Sequence, residues 1–250
     1  MEGCPMERRE TRNDPMAQVE SLLYGADRER ILALVAEMGE LAATAVEEAV
    51  HALQAQDDAR CDKVISGDDA VDELEHRIDQ ECLASIALRQ PVREDLRFVF
   101  AVLKSIADLE RIGDQAVNIA EKAKVLNRAP LVKPLVDIPR MKDICVAMVR
   151  DALKAARKGD SSLAEEVCRR DAELDRLKEM VSEELFFLMA TRFGGDATSL
   201  RGAAGLLWIT HHLARIGDHA TNMAERTYYA LRGEDLKSRL KQEQETQHHG

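Results

Sequence analysis

Each half of this chain carries acidic residues four positions apart. Three such pairs are candidates for chemistry, namely Asp68 with Asp72, Glu110 with Asp114, and Asp171 with Asp175. A spacing of four puts both side chains of a pair on one face of a helix, where like charges repel. A helix gains nothing from such a pair unless a cation lies between the two carboxylates. Two interpretations stay open at this point, a metal site and a solvated acidic face.

Register across helical hairpins favours the metal interpretation. In an antiparallel hairpin, residues at the same level have residue numbers with a constant sum. This rule places Asp68 level with Asp114 and Asp72 level with Glu110. Packed helices lie about 8–10 Å apart, a distance that two acidic side chains and a cation bridge. Oxygen ligands of this kind suit magnesium, manganese, calcium or ferric iron better than a soft metal.

The same rule applies to the second half of the chain, with one difference. Asp171 is predicted to be level with Asp218, and Asp175 with Ala214. Four carboxylates can therefore converge in the first half but only three in the second.

Long helices must position these acids. Apolar residues recur at intervals of three and four from Ile31 onward, as one buried helical stripe requires. Turn and cap signals at Asp57, Pro91, Gly159 and the Gly194-Gly195 pair divide the chain further. Six helices are predicted, starting at Ile31 and ending near Asp57, then at about 59–89, 94–126, 138–158, 161–191 and 198–231.

An internal duplication organises these helices. Residues 109–121 reappear as residues 213–225, with Arg-Ile-Gly-Asp identical in both copies, at an offset of 104. Three prolines at positions 130, 134 and 139 mark the boundary between the copies. The predicted fold is all-α, two tandem antiparallel three-helix bundles over residues 28–129 and 130–235. Residues 1–27 are expected to form a flexible extension, and residues 236–250 a disordered tail.

Composition excludes several other classes of protein. The chain has 250 residues, a net charge of −11, only 4% aromatic residues and few glycines and prolines, which disfavours β-rich folds and nucleic-acid binding. The five cysteines are scattered, so neither disulfides nor a thiolate zinc site is expected. With no secretory signal and no long apolar segment, we expect a cytoplasmic protein that does not insert into membranes.

Three further residue types repeat beside the acids. Gly113 and Gly217 are predicted to lie in mid-helix, where glycine costs about 1 kcal/mol relative to alanine. They indicate either ligand access or simple close packing of helices. The repeated arginines, Arg111 and Arg215, could orient acids on a neighbouring helix or form surface ion pairs. The repeated asparagines, Asn118 and Asn222, could support the metal ligands or bond between helices.

These residues carry a family resemblance. The segment Glu110-Arg111-Ile112-Gly113-Asp114, the aspartate pairs, and Gln90-Pro91 followed by Asp95-Leu96-Arg97 resemble the PhoU family of phosphate-signalling regulators. The resemblance extends over residues 31–232. It implies a helical, metal-binding negative regulator of the phosphate-starvation response that is not an enzyme. Its implied partners are the ATPase of the phosphate ABC transporter and a phosphate-sensing histidine kinase, and a homodimer is expected.

The resemblance also implies two metal sites, with iron, manganese, magnesium or zinc as the expected ions. The first would comprise Asp68, Asp72, Glu110 and Asp114, and the second Asp171, Asp175 and Asp218. The chain departs from the family pattern at Ala214, where an acid is expected. Lys178 and Ser182 also replace the Glu75 and Asp79 of the first half, and His211 is a weaker candidate ligand. We therefore expect the first half to bind metal more tightly.

A carboxylate-bridged metalloenzyme, of the di-iron or phosphatase type, is the alternative. Di-iron bundles use Glu-x-x-His pairs, and two occur here, Glu48 with His51 and Glu73 with His76. The hairpin register does not place these pairs level with each other. The chain also shows no phosphate-cradling glycine loop and no nucleophile with an adjacent base. A regulatory protein is thus the favoured function.

Overall fold

The computed structural model describes residues 15–248 of the chain, with side chains described for residues 25–243. Within this range all regular structure is helical, as the sequence predicts. The helices are α1 (Pro15–Ala55), α2 (Asp58–Ser66), α3 (Asp69–Arg89), α4 (Glu94–Leu126), α5 (Asp137–Lys158), α6 (Ser161–Thr191), α7 (Ala197–Arg232) and α8 (Leu236–His248). None of the described helices is long and apolar enough to cross a membrane.

The predicted second helix is divided into α2 and α3. Gly67 ends α2 by donating its N–H to the Val64 carbonyl, and Asp68 precedes α3 without forming a side-chain cap. A β-carbon at Gly67 would lie 3.0 Å from the Lys63 carbonyl oxygen. Glycine and aspartate both favour turns over helix interiors, which explains the interruption. The break places Asp68 at the start of a helix rather than within one.

The N-terminal boundary of the fold lies earlier than expected. Helix α1 begins at Pro15, a residue that suits the first turn of a helix, so the prediction of a flexible extension is wrong for residues 15–27. Asp27 fixes this part of α1 by accepting hydrogen bonds from Arg89 at 3.0 Å and Arg30 at 3.1 Å. The remaining residues of the predicted extension, 1–14, lie outside the described residues.

The C-terminal tail also differs from the prediction. Residues 236–248 form α8 instead of a disordered tail, after Gly233 ends α7 in the left-handed conformation. Leu236 is buried against the core, and Arg239 pairs with Glu165 of α6 at 2.9 Å. The buried Leu236 and ion pairs, among them also Lys237 with Glu225 of α7 at 3.1 Å, therefore attach a segment whose composition is otherwise polar. Residues 249–250 lie outside the described part of the chain.

The two halves share one core. Helices α4 and α7 form the most extensive helix pair, and α1 also packs against α5 of the other half. Buried apolar residues from both halves form one continuous cluster. The duplicated bundles therefore do not stand apart as separate units, although residues 127–136 connect them where the prolines predict a boundary.

Buried polar pairs join α4 to α7 at positions related by the duplication. Asp108 and His219 are 2.9 Å apart, and Gln115 and His212 are 2.7 Å apart. Positions 108 and 212 are equivalent at the offset of 104, as are positions 115 and 219. Arg226 also pairs with Asp108. Because unpaired buried polar groups are costly, these pairs fix how α4 and α7 meet.

Candidate metal centres

The first acidic cluster lies where the start of α3 faces the middle of α4. Asp68 and Asp72 come from the α3 side, and Glu110 and Asp114 come from α4. Burial raises the pKa of Asp68, and the nearby charges of Asp72 and Asp114 raise it further. Asp68 therefore lies near Asp114, and Asp72 near Glu110, which agrees with the predicted register of the hairpin.

A fifth carboxylate, Glu75, belongs to this cluster although the sequence analysis left it outside the site. Burial raises the pKa of Glu75, followed by the charges of Asp72 and Asp79. Burial likewise raises the pKa of Glu110, which is near Asp114, Glu75 and Asp72. The sequence indicates this through spacing, because Glu75 comes three residues after Asp72 and so lies on the same helix face.

Arg111 supplies the positive charge of the first cluster. Its guanidinium donates to Asp114 at 3.0 Å and lies 3.4 Å from Glu110. Both partners are on its own helix, which is the surface ion-pair alternative, while on the neighbouring α3 the charge of Arg111 opposes the rise in the pKa of Glu75. The Arg111 side chain is 57% exposed, and such a pair holds the acids only weakly.

The repeated glycines allow α4 and α7 to approach the helices that carry the aspartates. A β-carbon at Gly113 would lie 3.0 Å from Asp68 Oδ1. At Gly217 it would lie 2.3 Å from Leu174 Cδ2 and 3.5 Å from Asp171 Oδ1. Both glycines thus serve close helix packing, and Gly113 also leaves space directly beside a carboxylate of the cluster.

The second cluster combines Asp171 and Asp175 of α6 with Asp218 of α7. Burial raises the pKa of Asp171 to about 6, with the charges of Asp218 and Asp175 adding to the effect. Lys178 donates to Asp175 at 2.6 Å and so neutralises part of this cluster. Ala214, level with Asp175, is buried and brings no ligand.

The donor chemistry of both clusters fits a hard cation, because all the ligands are carboxylate oxygens. The side-chain positions, however, do not form a closed set. In the part of the chain that the structure describes, no three Asp, Glu, His or Cys side chains are close enough together to hold a metal ion. Metal binding would thus require the carboxylates to turn toward a common centre.

The remaining candidate residues lie elsewhere. Asn118 donates to the backbone carbonyl of Asp114 at 2.8 Å, whereas Asn222 donates to Asp108 across the seam between α4 and α7. His211 is exposed, and its ring contacts Trp208 and His212. Of the Glu-x-x-His residues, His51 lies 3.8 Å from Glu48 and His76 bonds to Gln80, outside both acidic clusters.

Comparison with known proteins gives consistent matches. The PhoU domain model matches twice, at residues 35–123 and 138–227. The chain is 34% identical over 215 residues to the phosphate-specific transport system accessory protein PhoU homolog of Pseudomonas putida, covering 86% of this chain and 82% of that protein. It is 36% identical over 203 residues to the homolog from Aquifex aeolicus, covering 81% of this chain and 90% of the relative.

Solved structures agree in fold. The crystal structure of PhoU from Pseudomonas aeruginosa superposes with a TM-score of 0.78 at 33% identity, covering 84% of this chain and all of that one (100%). A phosphate transport system regulatory protein PhoU from Streptococcus pneumoniae gives a TM-score of 0.76 at 26% identity, covering 84% of this chain and 98% of that chain. Both matches extend over the two halves that carry the acidic clusters.

Proposed function

Because this chain belongs to the PhoU family, we propose that it is an accessory regulator of phosphate transport that holds metal ions on its two acidic hairpins. The observation that carries this proposal is the doubled PhoU domain, with level carboxylates in each copy. Relatives 34% and 35% identical are named as accessory proteins of the phosphate-specific transport system. An accessory role in phosphate transport is the broad function that these relatives support.

In this proposal the residues that would hold metal differ between the halves. Asp68, Asp72, Glu75, Glu110 and Asp114 would serve the first site. Asp171, Asp175 and Asp218 would serve the second. A bound cation would supply positive charge to carboxylates that otherwise repel one another. The raised pKa values of Asp68, Glu110 and Asp171 support this, because burial, and after it the charges of neighbouring carboxylates, disfavours the ionised forms that a cation would stabilise.

The proposed regulation acts through protein contacts in the cytoplasm rather than through catalysis. We infer that the chain, as a homodimer, binds the phosphate transporter ATPase and the phosphate-sensing histidine kinase, and thereby keeps the phosphate-starvation response off. Large apolar side chains on the surface of the described residues suit such docking, among them Leu88, Val92, Phe187 and Trp208. No observation here favours a metalloenzyme over this role.

Deletion of the gene tests the regulatory function. We expect phosphate-uptake genes to stay active at high phosphate in the deletion strain, and a plasmid copy of the wild-type chain to restore repression. A reporter that stays repressed in the deletion strain contradicts the proposal. Metal analysis of protein purified without a chelator separately tests the metal sites, and protein without bound metal contradicts that part.

A further inference from the structure

A cleft lies where the connection between the two halves crosses α7. Its volume is about 570 Å³, within the usual range of small-molecule sites. One side is formed by the end of α4 and the connection, residues 125–132, and the other by the start of α7 and by Phe193 before it. Its lining is largely apolar, and Arg128 and Arg201 are the basic residues in it. None of the acidic clusters contributes to it.

Gly202 of α7 lies in the floor of this cleft, and Gly205 lies three residues further along the same helix. A β-carbon at Gly202 would lie 2.7 Å from Val132, and one at Gly205 would lie 2.7 Å from Leu126. The absence of these side chains lets the connection pack directly on α7. Phe193 and Asp196, from the loop before α7, line the cleft opposite the connection.

The equivalent position of the first half holds only a small space of about 40 Å³, lined by Phe98, Val102 and Ala230 among others. Arg97, which corresponds to Arg201 at the offset of 104, donates to the Ala230 carbonyl at 3.3 Å. Its guanidinium also lies 3.7 Å from where a β-carbon of Gly233 would be. Ala230 corresponds to Leu126, so an inward-turned Arg201 would have met the end of α4 in the same way. Arg201 is instead exposed.

The two arginines of the cleft have no protein partner among the described side chains. Neither Arg128 nor Arg201 takes part in a hydrogen bond or ion pair there, whereas Arg97 and Arg150 do. One acid, Asp196, also lines the cleft, and it accepts hydrogen bonds from the Thr198 backbone N–H at 2.9 Å and the Ser199 hydroxyl at 2.5 Å. The cleft therefore carries two unpaired positive charges and one carboxylate that is already hydrogen-bonded within its own loop and helix start.

This combination has a definite ligand chemistry. Arginine binds phosphate oxygens through its planar fork and also stacks on flat rings. The apolar lining by Leu126, Val132, Phe193 and Leu206 suits a hydrophobic body and not a fully hydrated ion. We propose that this cleft binds an organic phosphate, with the phosphate at Arg128 and Arg201 and an apolar moiety of about mononucleotide size on the floor.

Calorimetric titration of the full-length protein tests this site. The ligands are adenosine 5′-monophosphate, lysophosphatidic acid, adenosine and inorganic phosphate. We expect one of the first two to bind at least about tenfold more tightly than adenosine or inorganic phosphate alone, because only they combine both features. Binding of adenosine 5′-monophosphate would identify the moiety on the floor of the cleft as a nucleoside, and binding of lysophosphatidic acid would identify it as an acyl chain.

Variants locate the binding. Arg201→Gln and Arg128→Gln should each weaken the affinity for the ligand by about tenfold, the usual effect of losing one charge-assisted hydrogen bond. Arg192→Gln, at an exposed arginine outside the cleft, is the matched control and should bind as the wild type does. Circular dichroism verifies that each variant is folded. Absence of binding by all four ligands, equal binding of inorganic phosphate, or equal loss in the Arg192 control would overturn the proposal.

Discussion

The two acidic hairpins have the same spacing of aspartates, but their surroundings differ. In the first half the chain breaks at Gly67, so Asp68 stands at the entrance of α3 among five carboxylates with Arg111 beside them. In the second half α6 is continuous, and Asp171 lies within it beside Asp175 and Asp218. Lys178 neutralises part of that cluster, and Ala214 leaves one position without a ligand.

This difference shows that the duplication has preserved the placement of the carboxylates but not the charge around them. The placement of the carboxylates follows from helical spacing and hairpin register, which both copies retain. The charge of each cluster depends on flanking side chains such as Glu75 and its counterpart Lys178, which register does not constrain. We therefore expect the first half to attract a cation more strongly than the second.

The largest expected effect is on metal affinity in the first half. Asp114→Ala should weaken metal binding by about 100-fold, since loss of even a supporting partner costs 10- to 100-fold. Asp218→Ala should have a smaller effect, about tenfold, because the second cluster already lacks one acid. Titration of chelator-treated protein with manganese, with metal content measured after dialysis, gives both values.

The control for this pair is Glu29→Gln, an exposed acid of α1 outside both clusters. It should leave metal content unchanged. A greater loss of metal from Asp218→Ala than from Asp114→Ala would reverse the ranking of the two halves.

The next expected effect concerns His212, the residue of the second half that is equivalent to Asp108 in the first. Burial lowers the pKa of His212 to about 4, and the charges of His211, Arg215 and Lys122 act in the same direction. The folded chain therefore keeps this ring neutral while the unfolded chain takes up a proton below its ordinary pKa of 6.5. The contribution of His212 to the free energy of unfolding should fall by about 2 kcal/mol between pH 6.5 and pH 4.

Denaturant unfolding of His212→Gln and wild type at pH 7 and pH 4.5 measures this loss. The wild type should lose about 2 kcal/mol relative to the variant on acidification, and the difference between the proteins isolates His212 from the carboxylates. His76→Gln, at an exposed histidine of α3 that does not act on His212, should follow the wild type. Parallel acid dependence in wild type and His212→Gln would contradict the prediction.

The two mid-helix glycines should respond differently to alanine. Gly217→Ala forces a β-carbon against Leu174 in the core, and overpacking of this kind costs about 1–3 kcal/mol, partly offset by the better helix propensity of alanine. Gly113→Ala meets the carboxylate end of Asp68 and makes an ordinary van der Waals contact with Val71 at 3.5 Å, so the stability of this variant should change by less than about 1 kcal/mol. Thermal unfolding of metal-free protein measures the loss of stability in each variant. Equal destabilisation by the two substitutions would contradict the prediction.

The smallest expected effect is a gain of affinity. Ala214→Glu restores the acid that the repeat pattern places level with Asp175, and it should strengthen metal binding in the second half by about threefold to tenfold. Lys178 limits the gain because it already pairs with Asp175. Binding is measured in the Asp114→Ala background, so that the second site dominates, with Ala214→Gln as the uncharged control. Equal affinities for the glutamate and glutamine variants would contradict a direct role for the charge.

Much of this molecule was predictable from its sequence. The boundaries of α4 and of the three helices of the second half were predicted within one or two residues, because caps and apolar spacing act locally. The break at Gly67 and the attachment of α8 were missed. The first depends on a weak local preference against a long helix, and the second on the burial of Leu236 by residues distant in the chain.

The sequence by itself determined the helices, their duplication and the level of the acids across each hairpin, since helical period and chain direction are sufficient for these. Only the tertiary structure decided that α4 and α7 join both halves in one core through Asp108, His219, Gln115 and His212. It also decided that Arg97 is engaged whereas Arg201 is exposed beside a cleft. Local preferences act between near neighbours in the chain, whereas burial and pairing depend on residues about 100 positions apart that meet only after folding.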